Sequence, residues 1–166
     1  IKGVCPETVD IPDDVRLIAG GCFYNQAALK AVTIPEGVTS IGDSAFNGCS
    51  GLTSVMIPAS VTNIDDNAFY NCNRLMSLTI PASVTTLGIG SFGSNFPPRH
   101  TLVFEGRPPS VIGPSAVGLY SMSQAVGDAI IRYDPAYAEE WRAIAFTPMQ
   151  IVLPSGEPLP DSGPGQ

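Results

Sequence analysis

Charge is scarce in this chain. Asp, Glu, Lys and Arg make up 14% of its 166 residues, and 15 acidic against 8 basic residues leave a net charge of −7. No cluster of Lys and Arg occurs anywhere along it. A nucleic-acid surface needs such clusters to offset phosphates, so nucleic acid is excluded as a partner class. No apolar run reaches the ~18 residues that a membrane-spanning helix requires. The chain has 4 cysteines but no C-x-x-C, and its only histidine is His100. That leaves no zinc-ligand pattern, and no metal or cofactor is expected. No signal peptide is visible, and the chain opens part-way through a motif at Ile1.

What is present is repetition. Leu29 to Gly51 reads LKAVTIPEGVTSIGDSAFNGCSG, Leu52 to Arg74 reads LTSVMIPASVTNIDDNAFYNCNR, and Leu75 onward reads LMSLTIPASVTTLGIGSFGSNF. The frame is 23 residues long, with no gap between the first two blocks. A fixed period of this length marks a solenoid in which each unit stacks on its neighbours.

The physics of one unit follows from the block at Leu29. Val32 and Ile34 alternate with Ala31 and Thr33, which puts one set inward and the other outward on a short strand. Pro35 has no N–H to donate, so it ends the ladder and turns the chain. Val38 and Ile41 return inward from the far wall, and Ala45, Phe46 and Cys49 fill the centre. One period on, the same roles fall to Val55, Ile57, Ile64, Ala68, Phe69 and Cys72, and then to Leu78, Ile80, Leu87, Ser91 and Phe92. One period earlier they fall to Val9, Ile11, Val15, Ile18, Cys22 and Phe23. Four phenylalanines (Phe23, Phe46, Phe69, Phe92) are therefore expected to stack through the core.

The motif L-x-x-[VL]-x-I-P-x-x-V-x-x-[IL]-G-x-x-[AS]-F-x-x-C resembles the leucine-rich repeat of the Treponema pallidum, or BspA-like, type. The resemblance is strong over residues 6–96 and weak beyond. It implies a right-handed α/β-type repeat solenoid with a parallel sheet of about seven short strands and an irregular or short helical convex side. It also implies an extracellular or cell-surface location, since family members are mostly bacterial surface or secreted proteins and several are adhesins.

After Phe96 the period loosens. Leu102 and Phe104 still read as a strand, Ala116 and Val117 sit near the Ala-Phe slots, and Gly118 to Asp128 reads as a looped insertion. Ile131 and Tyr133 form another inward pair. Asp134-Pro135 then opens a short helix, with Asp as cap and Pro at the first position. Tyr137, Trp141 and Ile144 lie on one face of that helix, which is expected to dock on the last turn. A final strand holds Ile151 and Leu153. The domain reading is a solenoid over 1–153, regular over 6–96 and degenerate with a C-terminal cap over 97–153, followed by a Pro/Gly-rich flexible tail over 154–166.

Several residues invite a catalytic or metal reading and fail it. Cys49 and Cys72 occupy one slot in adjacent turns, ~5 Å apart, but their Cβ vectors run parallel, so both are expected as buried free thiols. Cys22 takes an Ala slot and is expected in the core, whereas the redox state of Cys5 is left open. His100 lies in a loop with no carboxylate or nucleophile at a motif spacing. Asp43, Asp65 and Asp66 share the outer bends of neighbouring turns, where forming the turn explains them. Paired glycosidase carboxylates flank a cleft ~5–9.5 Å apart, which the adjacent Asp65 and Asp66 do not do. Gly113-Pro114-Ser115 lacks the closing glycine of a nucleophile elbow.

The outward row of the sheet remains as the interaction surface. The residues expected there are Asp10, Thr33, Ser54, Met56, Ser77, Thr79, Val103, Ile130 and Arg132, with Thr8, Ala31, Thr101, Gln150 and Val152 alongside. The surface is flat, small and mostly hydroxylated, suiting close approach of a protein or glycan. The function expected is a non-catalytic, adhesin-like interaction module that binds an extracellular protein or surface glycan. The alternative is a structural spacer or coat segment of a larger surface protein.

Overall fold

The computed structural model describes residues 6–93, 101–113, 116, 130–143 and 150–152. The strands in chain order are β1 (Thr8–Asp10), β2 (Leu17–Ile18), β3 (Ala31–Thr33), β4 (Ser40–Ile41), β5 (Ser54–Met56), β6 (Asn63–Ile64), β7 (Ser77–Ile80), β8 (Thr86–Leu87), β9 (Thr101–Phe104), β10 (Val111–Ile112), β11 (Ile130–Tyr133) and β12 (Gln150–Val152). A 3-10 turn (Pro135–Tyr137) leads into the helix α1 (Ala138–Ala143).

The chain winds as a solenoid with three sides. The first wall carries seven strands, as the repeat implied. β1, β3 and β5 form one parallel ladder, and β7, β9, β11 and β12 form a second. The partners in the first ladder stand one repeat apart: Thr8 with Ala31, and Ala31 with Ser54. Between β7 and β9 the step is 24 residues, Ser77 to Thr101, where the period loosens. The proline after each of β3, β5 and β7 stops the ladder as expected. The return wall is more regular than its sequence suggested. Its two-residue strands make a continuous five-stranded parallel sheet, β2-β4-β6-β8-β10. Two residues are too short to display an alternating pattern, so periodicity alone cannot find them.

The third side carries Ala-Phe-x-x-Cys and reverses the direction of hydrogen bonding. On the return wall, N–H groups point to the preceding turn, as in Thr39 to Arg16 O (2.9 Å) and Gly42 to Ile18 O (2.9 Å). On the third side they point to the next turn. The N–H groups of Phe23, Phe46, Phe69 and Phe92 donate to the carbonyls of Ala45, Ala68, Ser91 and Ala116 at 2.7–2.8 Å. Two slots per turn need left-handed backbone. Gly21, Ser44, Asn67 and Gly90 share one, with φ of 64°, 54°, 53° and 60°. Asn25, Gly48 and Asn71 share the other. Glycine and Asn tolerate this region, whereas Ser44 is strained there.

The core is the inward set read from the repeats. Val32, Ile34, Ile41, Val55, Ile64, Leu78, Leu87 and Leu102 are buried, and Phe46, Phe69 and Phe92 are fully enclosed. The phenylalanine rings stack in series. Centroids are 5.0 Å apart for Phe23–Phe46, 5.2 Å for Phe46–Phe69 and 5.7 Å for Phe69–Phe92, with interplanar angles of 4°, 9° and 13°. These separations match the strand spacing and fall in the range of offset stacking. The thiols form a parallel series: Cys49 Sγ donates to Phe23 O (3.1 Å) and Cys72 Sγ to Phe46 O (3.3 Å). Both cysteines are buried and unbridged, as expected. Burial pushes the Cys72 thiol far above its ordinary value, and the neighbouring Cys49 adds to the shift.

One core assignment is corrected. Cys22 is exposed, although its slot in later turns holds the buried Ala45, Ala68 and Ser91. No coil lies beneath the first turn among the described residues, so a slot that is interior elsewhere is here a surface. Phe23 is half-covered for the same reason. At the other end Asp134 caps the 3-10 turn through Ala136 N (2.9 Å). Trp141 is fully buried, packs on Phe104 (4.7 Å) and Tyr133 (5.6 Å), and donates Nε1–H to Gly106 O (3.3 Å). Arg107 lies over the Tyr137 ring at 5.3 Å and pairs with Glu140 at 3.4 Å, tying α1 to the turn beneath it. Cys5, Phe96, His100, Val117, the 118–128 insertion, Ile144, Leu153 and the 154–166 tail lie outside the described residues.

Three outcomes follow from this packing. Phe69→Ala, with a ring on either side, is expected to lose about 3–5 kcal/mol of stability, and Phe23→Ala, covered on one side, less than half of that; chemical denaturation of the two variants compares them. Ser44→Gly removes a left-handed strain of about 1–2 kcal/mol and adds about 0.5–1 kcal/mol of glycine entropy, so its denaturation midpoint should rise slightly. Iodoacetamide at pH 8.5 should modify Cys22 in the native protein and reach Cys49 and Cys72 only after unfolding, as read by peptide mass spectrometry. Because the folded Cys72 thiol resists ionisation, its contribution to stability is complete below the ordinary thiol value of 9.0 and declines as pH rises beyond it.

Candidate interaction face

The first wall presents two outward rows. Thr8, Ala31, Ser54, Ser77 and Thr101 follow one another at one slot, with Ile130 next in register on β11. Asp10, Thr33, Met56, Thr79, Val103 and Arg132 form the other. The β5 to β7 step of both rows follows the 23-residue frame, because these strands pack side by side without a shared ladder. Asp10, Thr33, Ser54, Met56, Ser77 and Thr79 are exposed, while Val103 and Arg132 are partly covered. For Ile130 the backbone pairing with Thr101 and Gln150 is defined, and its side chain lies outside the described residues.

Hydroxyl groups distinguish this wall from the other sides. On the return wall the threonine at each repeat donates to the turn before it. Thr39 Oγ1 reaches Arg16 O (3.2 Å), Thr62 reaches Thr39 O (3.3 Å) and Thr85 reaches Thr62 O (3.3 Å). Ser60 and Ser83 likewise reach Val38 O (2.6 Å) and Val61 O (2.7 Å). These side chains hold turn to turn. On the first wall, Thr33, Ser54, Ser77 and Thr79 make no side-chain hydrogen bond among the described residues. Their hydroxyls face solvent with donor and acceptor capacity in hand.

The acidic bends do not gather into a site. Asp66 Oδ1 accepts from Ile89 N (2.7 Å) and Asp65 Oδ1 from Asn63 Nδ2 (2.6 Å), so both carboxylates brace their turns. Among the described residues no three His, Cys, Asp or Glu side chains come together as metal ligands. Of the other exposed large apolar residues, Met76 immediately precedes β7 of this wall, while Leu17, Tyr24, Ile89 and Val111 fall on other sides.

The structure adds an open groove of about 460 Å³ at the corner after the cysteine slot, lined by Ala27, Ser50, Gly51, Asn73 and Arg74. A side chain at Gly51 would collide with the Ala27 carbonyl, so the turns meet closely there. Ala27, Ser50 and Gly51 are small, but Asn73 and Arg74 in the next turn are not, so the sequence carries no repeating signal for this groove. Arg132 adds another feature that the sequence does not show: its Nε is sealed from solvent and has no hydrogen-bond partner.

Comparison with known proteins agrees with this geometry. The family model for the BspA type leucine rich repeat region matches six copies over residues 4–102. A leucine-rich-repeat protein of T. pallidum superposes with a TM-score of 0.67 at 25% identity, over 78% of this chain and 59% of its own. The pneumococcal vaccine antigen PcpA superposes at 0.65 with 20% identity, over 89% of this chain and 41% of that one, which speaks to the fold alone. A leucine-rich cell surface protein of Faecalibacterium prausnitzii gives 0.51 at 30% identity, over 76% of this chain and 38% of that one. The chain thus spans well under two thirds of the length of each of these proteins. No curated protein matches its sequence. Six matching copies, the 23-residue frame and the stacked Phe and Cys slots make the chain a member of the BspA-type leucine-rich-repeat family.

Proposed function

We propose that this chain is a non-catalytic interaction module that binds an extracellular protein or surface glycan through the outward rows of its first wall. The observation that carries the reading is the contrast in hydroxyl use. The return wall spends its Thr and Ser groups on neighbouring turns, while Thr33, Ser54, Ser77 and Thr79 keep theirs for solvent. A flat sheet of small polar side chains lets a partner approach closely at low desolvation cost. Met56, exposed to 72%, is its largest apolar anchor. Few aromatic or arginine anchors mean weak affinity per copy, which several linked copies raise by avidity.

An adhesin-like role at a bacterial cell surface is supported by the family and by a similar protein described as a leucine-rich cell surface protein. No helix among the described residues is long and apolar enough to cross a membrane. The family and fold are typically non-enzymatic, and the bend carboxylates are engaged in their turns.

An array of extracellular-matrix proteins and surface glycans tests the reading. A saturable binder is expected, with about tenfold weaker binding for Ser54→Arg and Ser77→Arg, which crowd the face, and no change for Ala59→Arg on a turn. Absence of any saturable binder, or equal loss in all three variants, overturns it.

A further inference from the structure

In the row Asp10, Thr33, Met56, Thr79, Val103, Arg132, charge stands only at the two ends. Asp10 is on β1 and Arg132 on β11, five strand spacings apart, or ~24 Å at ~4.8 Å each. Between them lie two threonines, the exposed Met56 and the partly covered Val103. Neither end is neutralised by an ion pair among the described residues. The ion pairs among the described residues are Lys30–Glu7 and Arg107–Glu140. Asp134, just past the end of β11, is committed to the Ala136 N–H. The Arg132 Nε is buried without an acceptor among the described residues, and the side chain as a whole stays partly exposed, so its positive charge is open to an acceptor from outside. The acceptor matching its planar fork is a carboxylate.

Resting on the interaction reading above, we propose that this row binds an extended polypeptide segment laid across the strands, with an acidic side chain at Arg132, an apolar one near Met56 and a basic one at Asp10. The unlike charges choose a polypeptide over an acidic glycan, because a polyanion would satisfy Arg132 while facing Asp10 with like charge. The span fixes the length: ~24 Å corresponds to about seven extended residues. Met56 lies two strand steps from Asp10 and three from Arg132, so the apolar residue sits nearer the basic end. The polarity of the row thus sets the direction in which a segment binds.

Selection of a displayed random heptapeptide library on the immobilised chain tests this, with Ser54→Arg as counter-screen for binding to the face. The expected consensus has a basic and an acidic position at opposite ends. Selected peptides should bind about tenfold more weakly to Arg132→Ala and about threefold more weakly to Asp10→Ala. On the double variant Asp10→Lys/Arg132→Glu the selected charge order should invert, with a thermal melt confirming that each variant is folded. Face-dependent peptides with no charge order, or an order unaffected by the double variant, overturn the inference and leave the interaction reading standing. No face-dependent peptide at all also overturns this inference, while the array of matrix proteins and glycans decides the interaction reading.

Discussion

Each turn of this chain is laid on the next at one strand spacing, and identical side chains therefore land on one another. Parallel ladders on two walls and the reversed ladder on the third side fix that translation from the backbone. Phe on Phe and the thiol on the Phe carbonyl below fix it from the inside. The two sets constrain each other. A ring too small leaves a void through several turns, and a turn of the wrong length breaks the ladder above and below it. The left-handed backbone at one slot in four successive turns is the local cost of closing each corner on the same pitch.

The distribution of polar groups follows from the same translation. A hydroxyl near a corner of the coil finds the carbonyl of the turn below within reach, so Thr39, Thr62, Thr85, Ser60 and Ser83 act as internal braces. A hydroxyl on the outward side of a first-wall strand stands perpendicular to the ladder, and it has no carbonyl to reach. Thr33, Ser54, Ser77 and Thr79 are of this kind. The candidate face is thus a consequence of where backbone acceptors run out.

Repeat architectures give up their secrets unevenly along the chain. The regular units announced the inward set, the proline stops, the phenylalanine stack and the unbridged thiols, because those depend on offsets within a fixed period. The capping helix was legible from Asp134-Pro135 and the apolar spacing of Tyr137 and Trp141. Cys22 was misread because the frame says which slot a residue fills and not whether a coil lies beneath it. The two-residue strands of the return wall were invisible, since a parallel bridge between residues 23 apart leaves no trace in local pattern.

By itself the sequence determined the period, and with it the fold, the interior residues and the outward rows, because a 23-residue translation converts offsets directly into neighbours. Tertiary structure alone decided which hydroxyls are consumed and which face solvent, which end leaves its Phe23 and Cys22 uncovered, and that the Arg132 Nε is buried without an acceptor among the described residues. Those are questions of distance between atoms in different turns. They are answered only when the coils are stacked, because burial and hydrogen bonding depend on what lies above and below a side chain as well as on its place in the frame.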